Sequence, residues 1–320
     1  MIKTQIYNED CISGLASRVA DESVHLAVTS IPFEELFTYS GKLEDVGNNG
    51  STINIREGRF ALNMRFVIEQ LRRVTAPGCN IAIHIQQLLA YKNQHGFIGR
   101  RDFRGAIIDL FAAGGLNFIG EFSICKNPQA MAQRLNLHSL MFVTGKRNSN
   151  MLAPAPNDYV LIFQKPGEAQ TPVRCLYDSK TNPGGWVTTE EWIRDAHGVW
   201  TDIDEFDVLD GARYARESTE EKHVCPLQLE VIRRLVKLYS NPIDVQPDVT
   251  VLDPFGGIGS TGHVCVELQR NYVSFELKES YFAQHVRNVD RAQTAFRRPQ
   301  RDLFSVGGGG RKLRRRKRVV

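Results

Sequence analysis

Apolar positions along this chain repeat with two periods, and the alternation of those periods predicts its elements. Short runs rich in β-branched and aromatic residues at 2–6, 24–29, 80–85, 117–125, 158–163, 250–253 and 271–275 read as strands. Between them, apolar residues three and four apart predict helices at 11–19, 60–74, 102–113, 227–239 and about 280–295. In the second helix Phe60, Met64, Val67 or Ile68, and Leu71 mark the buried face, and Pro77-Gly78 closes it. Strands alternating with helices argue for an α/β fold: a mostly parallel, twisted sheet with helices on both faces.

Three stretches break the pattern. Residues 34–58 hold few apolar side chains and include Gly41, Gly47 and Gly50, so a long mobile loop is expected there. Residues 126–150 mix Lys126, Arg134, Lys146 and Arg147 with Asn and Gln and show no period, which suits an irregular segment facing nucleic acid. Residues 168–222 contain Trp186, Trp192 and Trp200 together with Asp202, Asp204, Asp207 and Asp210; this change of composition predicts an insertion or satellite subdomain.

Two strand ends carry polar turns, and in open α/β sheets ligands bind at carboxyl ends. One is Ser30-Ile31-Pro32-Phe33. The other spans 251–262, VLDPFGGIGSTG, and reads as strand, tight loop and helix. Glycines there let the backbone approach a ligand, and the helix start presents unpaired N–H groups. Gly257, Gly259 and Gly262 also fit G-x-G-x-x-G, and Glu276 lies about where a dinucleotide fold places its ribose acid. An NAD-linked oxidoreductase therefore stays open on spacing alone. Against it, Asp253 puts a negative charge where a pyrophosphate would sit, which suits a cationic, phosphate-free ligand such as the sulfonium of S-adenosylmethionine.

Composition narrows the picture. The 320 residues are 42% hydrophobic, enough for one large domain or one domain with an insertion. No apolar run approaches the roughly 18–20 residues of a membrane span, and the first residues show no hydrophobic segment, so a soluble, cytoplasmic protein is expected. Six scattered cysteines without a C-x-x-C pair argue for reduced structural thiols and no metal site. The net charge of +4 is concentrated at the end: residues 311–318 hold seven Lys and Arg, without which the chain carries 33 basic and 36 acidic side chains. Following Gly307 to Gly310, that block, Arg314, Arg315 and Arg316 among it, reads as a flexible arm for phosphate contacts.

Taken together, Ser30-Ile31-Pro32-Phe33 and Asp253-Pro254-Phe255-Gly256-Gly257-Ile258-Gly259-Ser260 resemble the two hallmark motifs of the DNA amino-methyltransferases: a [D/N/S]-P-P-[Y/F/W] catalytic turn and a D-P-F-x-G-x-G-[S/T] cofactor loop. The catalytic turn comes first, as in the circularly permuted β group of these enzymes. The segments around Phe37, Val199 to Ile203, His223 to Leu229 and Phe275 to Tyr281 resemble phage and bacterial members too. The resemblance implies a Rossmann-like class I methyltransferase that moves a methyl group from S-adenosylmethionine to N4 of cytosine or N6 of adenine in double-stranded DNA. A serine leading the turn leans toward cytosine, although adenine is common in the group. A weakly active relative that binds DNA is the alternative, because Ile31 replaces the first proline of the turn.

The resemblance also implies roles. Ser30 Oγ and the Ile31 carbonyl would accept the two amine hydrogens, Pro32 would hold the turn, and Phe33 would stack on a flipped base. Asp253, Pro254, Phe255, Gly257 and Gly259 would wall the methionine side of the cofactor, with Ser260 and Thr261 at the helix start. Glu276 would take the ribose hydroxyls, and Asp10, with Cys11 beside it, the adenine amine. His223, Pro226 and Leu227 would pack on the methionine end, close to Ser30. The expected organisation is a catalytic half (1–167), an insertion with a possible part in target recognition (168–222), a cofactor-binding half (223–296) and a flexible basic tail (297–320). Whether the protein forms a homodimer or accompanies a restriction enzyme is left open.

Overall fold

A computed structural model describes residues 2–32, 46, 56–135, 137–209 and 226–297. The chain starts with strand β1 (Thr4–Tyr7), helix α1 (Cys11–Arg18), β2 (Val24–Ser30) and α2 (Arg59–Val74). Next come β3 (Thr75–Gln86), a hairpin of β4 (Leu88–Ala90) and β5 (Gly99–Arg101) around the one-turn α3 (Lys92–His95), then α4 (Phe103–Ala113) and β6 (Asn117–Ile124). Short helices α5 (Pro128–Arg134) and α6 (Phe142–Arg147) precede β7 (Asp158–Gln164), α7 (Thr189–Asp195) and β8 (Val199–Trp200). The chain closes with α8 (Leu229–Tyr239), β9 (Thr250–Asp253), α9 (Ser260–Glu267), β10 (Asn271–Phe275) and α10 (Glu279–Arg297).

Eight strands form one sheet in the order β1-β10-β9-β2-β3-β7-β6-β8. Every neighbour pair is parallel except those of β7, which runs antiparallel to both β3 and β6. The inner parallel strands β2, β9 and β10 are buried on both faces, which is why they read as continuous apolar runs and not as alternating ones. Leu26 and Val28 of β2 face α8 and α9, whereas Ala27 joins Leu15 of α1, Met64 of α2 and Phe103 of α4 on the other face. α10 lies over α9 and β1 through Val266, Val289 and Ile6. Each large apolar side chain so buried contributes about 1.5–3 kcal/mol before the entropy of ordering it.

Three sequence expectations change. The second helix forms over Arg59–Val74, as its spacing predicts, but the strand expected from residue 80 already begins at Thr75 as β3. Its pairing with β2 jumps from Val24↔Thr75 to Leu26↔Asn80, so Pro77 and Gly78 sit in a bulge where a missing N–H does no harm. Residues 126–150 are not irregular: they fold into α5, α6 and 3-10 turns at His138–Leu140 and Ser149–Met151, each too short to show a period. The 168–222 stretch, expected to stand apart, returns to the sheet as β8, parallel to β6, with Trp200 stacked on Phe122 at 4.4 Å. Nearly all of 34–58 and the tail from 298 onward lie outside the described residues.

Candidate active site

β9 and β2 are neighbours in the sheet, with Leu26 opposite Val251 and Ala27 opposite Leu252. Their carboxyl ends therefore bring Asp253 and Ser30 side by side, although more than two hundred residues separate them in sequence. One hydrogen bond joins the two motifs directly: Thr29 Oγ1 donates to Asp253 Oδ1 at 2.6 Å. Asp253 Oδ1 also accepts from the Phe255 amide at 3.1 Å, and Oδ2 accepts from Thr261 Oγ1 at 2.7 Å. Asp253 thus ties β9, its loop, β2 and α9 together. Burial pushes its carboxyl up to about 6, against the lowering effect of those three hydrogen bonds.

The glycine loop is braced from below. Gly257 and Gly259 have φ of +52° and +93°, a region that L residues with side chains rarely occupy. A Cβ at Gly259 would come within 2.5 Å of the ring of His285, which rises from α10 beneath the loop and is completely buried. Burial drives His285 down to about 3, so the imidazole is neutral, and it shares a 3.2 Å hydrogen bond with the Tyr272 hydroxyl. Asn288 Nδ2, also from α10, donates to the Ile258 carbonyl at 2.8 Å.

Glu276 follows β10 and closes the other side of the loop. Its Oε2 accepts from the Gly257 amide at 2.8 Å and its Oε1 from the Lys278 amide at 2.9 Å. A carboxylate can accept about four hydrogen bonds, and these two hold the side chain against the loop. Asp10 precedes α1 and caps it: Oδ2 accepts from the Ser13 amide at 2.8 Å and from Ser13 Oγ at 2.9 Å. Cys11 is buried, and desolvation raises its thiol far above the ordinary value, so it is inert. Pro254 is buried and Phe255 packs partly against the sheet core. Ser260 and Thr261 open α9, and Pro226 and Leu227 lead into α8 with Leu227 in the core.

On the catalytic side, the Ile31 side chain is 1% exposed and part of the sheet core. Burial thus anchors the turn at the position where proline would have constrained it. Pro32 is half-buried. Phe33, His223 and Arg314 to Arg316 lie outside the described residues, as does the side chain of Arg134.

Sequence reading missed a buried chain of polar groups behind Ser30. Ser30 Oγ lies 2.9 Å from Nδ1 of His84 on β3, and His84 Nε2 lies 3.2 Å from Asp158 Oδ2 at the start of β7. Asp158 Oδ2 also receives Lys126 Nζ at 2.7 Å, and Oδ1 accepts from Gln86 Nε2 at 3.0 Å. The only signal for it was a histidine inside an apolar strand, NIAIHIQ. Lys126 is corrected by the same geometry: it is 8% exposed and spent on Asp158, hence not a phosphate contact. Lys146 and Arg147 are exposed on α6, as a phosphate contact requires.

A sheet with one reversed strand, third from the β8 edge, helices on both faces and a glycine loop at the carboxyl end of a central strand defines a class I methyltransferase fold. The profile of the N6/N4 family, described as DNA methylase, matches residues 24–287. The chain belongs to this family and is an S-adenosylmethionine-dependent DNA methyltransferase of the N4-cytosine or N6-adenine type. It is 24% identical over 278 residues to the type II methyltransferase M.MthZI of Methanothermobacter thermautotrophicus, covering 83% of this chain and 71% of that one. To M.MjaI of Methanocaldococcus jannaschii it is 25% identical over 281 residues, covering 82% and 84%. Among solved structures it is similar to the DNA modification methylase TTHA0409 of Thermus thermophilus, complexed with S-adenosyl-L-methionine (TM-score 0.63, 20% identity, covering 90% of this chain and 94% of that one). It also resembles the PvuII cytosine-N4-specific DNA methyltransferase (TM-score 0.59, 16% identity, 92% and 91%). Among the described residues no helix is long and apolar enough to cross a membrane.

Proposed function

We propose that the carboxyl edge of the sheet holds two ligands side by side, S-adenosylmethionine over the glycine loop and a base flipped out of duplex DNA over the turn after β2. The observation that carries this reading is the Thr29–Asp253 hydrogen bond, which fixes the distance between the two motifs. On the cofactor side, Glu276 would accept from the ribose hydroxyls, Asp10 would accept from the adenine amine through an oxygen not committed to the helix cap, and the loop from Asp253 to Gly259 would line the methionine end. Ser260, Thr261, Cys11, Pro226 and Leu227 would shape its walls, and His223 would join them.

An exocyclic amine is a poor nucleophile because its lone pair is delocalised into the ring. Two acceptors, Ser30 Oγ and the Ile31 carbonyl, would take its two hydrogens and aim the lone pair at the sulfonium methyl, so the rate gain comes from orientation. Extruding a base costs a few kcal/mol, of which stacking on Phe33 would return about 1–3 kcal/mol. Lys146, Arg147, Arg134 and the basic tail at Arg314 to Arg316 would meet phosphates, and the 168–222 segment would take part in choosing the target.

Single substitutions test the split. Ser30→Ala and Phe33→Ala are expected to lower methyl transfer at least about a hundredfold, by removing positioning, while cofactor affinity stays within severalfold by calorimetry. Equal loss of cofactor binding in both variants would mean that the turn and the loop do not form separate subsites.

A further inference from the structure

Ser30 can accept a hydrogen from the target amine only if its own proton points elsewhere. The buried network dictates where. Asp158 is 7% exposed; burial pushes its carboxyl up, but the approach of His84 and of the Lys126 ammonium at 2.7 Å outweighs this and holds it below the usual range. It is therefore an ionised, acceptor-only group. The His84 nitrogen facing it, Nε2, must then carry a proton, and in the neutral imidazole that leaves Nδ1 bare toward Ser30 Oγ, 2.9 Å away.

We propose that His84 is a positioning residue and proton relay for methyl transfer, acting through Ser30 and oriented by Asp158 and Lys126. This rests on the amino-methyltransferase reading of the site. Before transfer, the Ser30 hydroxyl donates to Nδ1, so its lone pairs face the amine. In the reaction the amine nitrogen bonds to the methyl carbon as the carbon–sulfur bond breaks, and the electron pair of that bond neutralises the sulfonium. The methylated nitrogen now carries a positive charge and one proton too many. That proton passes to Ser30 Oγ as the serine proton passes to Nδ1, and the resulting imidazolium faces the Asp158 carboxylate. Release of the proton to solvent after product departure resets the network. Two charged groups face His84 among the described residues, Asp158 from β7 and Lys126 from the segment after β6; they pair with each other at 2.7 Å, so a proton arriving on His84 meets a carboxylate already in place.

His84→Asn keeps a polar atom near Nδ1 but cannot take up a proton. In single-turnover reactions of the full chain with labelled S-adenosylmethionine and DNA, His84→Asn is expected to slow transfer about a hundredfold, the lower end of what proton transfer contributes. Cofactor affinity in the variant should stay within threefold, with an unchanged melting temperature. A variant that transfers at nearly the wild-type rate overturns the relay while leaving the methyltransferase standing. A wild-type chain that binds cofactor but labels no DNA removes both. Nitrogen-15 spectra of the wild-type protein give a second reading that does not depend on the variant folding. The relay requires the Nε2–H tautomer at neutral pH, and a protonated Nδ1 in the resting enzyme contradicts it.

Discussion

Asp253 shows how a single residue can serve two roles. Its carboxyl is pushed up to about 6 because it is buried, so the folded protein binds this proton more tightly than the unfolded chain does. The sign follows: between the ordinary carboxylate range and about 6 the native state holds more protons, and stability from this group falls as pH rises through that window. Binding a sulfonium and an ammonium nearby favours the ionised form, so cofactor affinity is expected to move the opposite way. Calorimetric titrations should show S-adenosylmethionine binding weakening by up to roughly tenfold per pH unit below about 6, with the dependence lost in Asp253→Asn. A second expectation concerns Gly259→Ala. With φ at +93° and His285 only 2.5 Å from the added methyl, it should lower stability by about 1–3 kcal/mol in urea unfolding and weaken cofactor binding as the loop shifts. Sequence alone showed that glycine was needed here and that Asp253 ended a strand. It did not show His285, because a histidine on a helical face carries no mark of what lies above it.

At the scale of elements, long runs were legible and short ones were not. Strands β9 and β10 fall where their β-branched runs placed them, at Thr250–Asp253 and Asn271–Phe275. α2 shows its buried face at the spacing of Phe60, Met64, Val67 and Leu71. β8 has two residues, too few for any period, so the tryptophan-rich stretch read as an insertion although it forms a sheet edge. Trp200 explains why that edge holds. It stacks on Phe122, its indole N–H donates to the Asp195 carbonyl at 3.1 Å, and the Arg234 guanidinium lies 5.2 Å from its ring centre. Arg234, 2% exposed, is in turn held by Asp202 at 2.6 Å and by Glu230 and Asp195 at 3.2 Å. Trp200→Ala is expected to cost about 3–5 kcal/mol in urea unfolding, and Trp200→Phe, which keeps the stack and loses the N–H bond, clearly less. Equal losses in both variants would place the hydrogen bond, and not the packing, at the centre of this edge.

For the whole molecule, strand order is what turns two distant motifs into one site. Motifs and their sequence order were legible; neighbourhood was not, because nothing in a linear pattern says that β9 inserts between β10 and β2. The reversal of β7 was equally hidden, yet it matters chemically: running antiparallel, β7 brings its first residue, Asp158, to the edge where the parallel strands end and so behind His84. The central claim, that this edge passes a methyl group from a sulfonium to the exocyclic nitrogen of a base, is tested most directly by the product. DNA incubated with the full chain and methyl-labelled S-adenosylmethionine should, after digestion to nucleosides, carry its label in N4-methyldeoxycytidine or N6-methyldeoxyadenosine. Label at the C5 carbon of cytosine, or unlabelled DNA from several sources despite measurable cofactor binding, would contradict it.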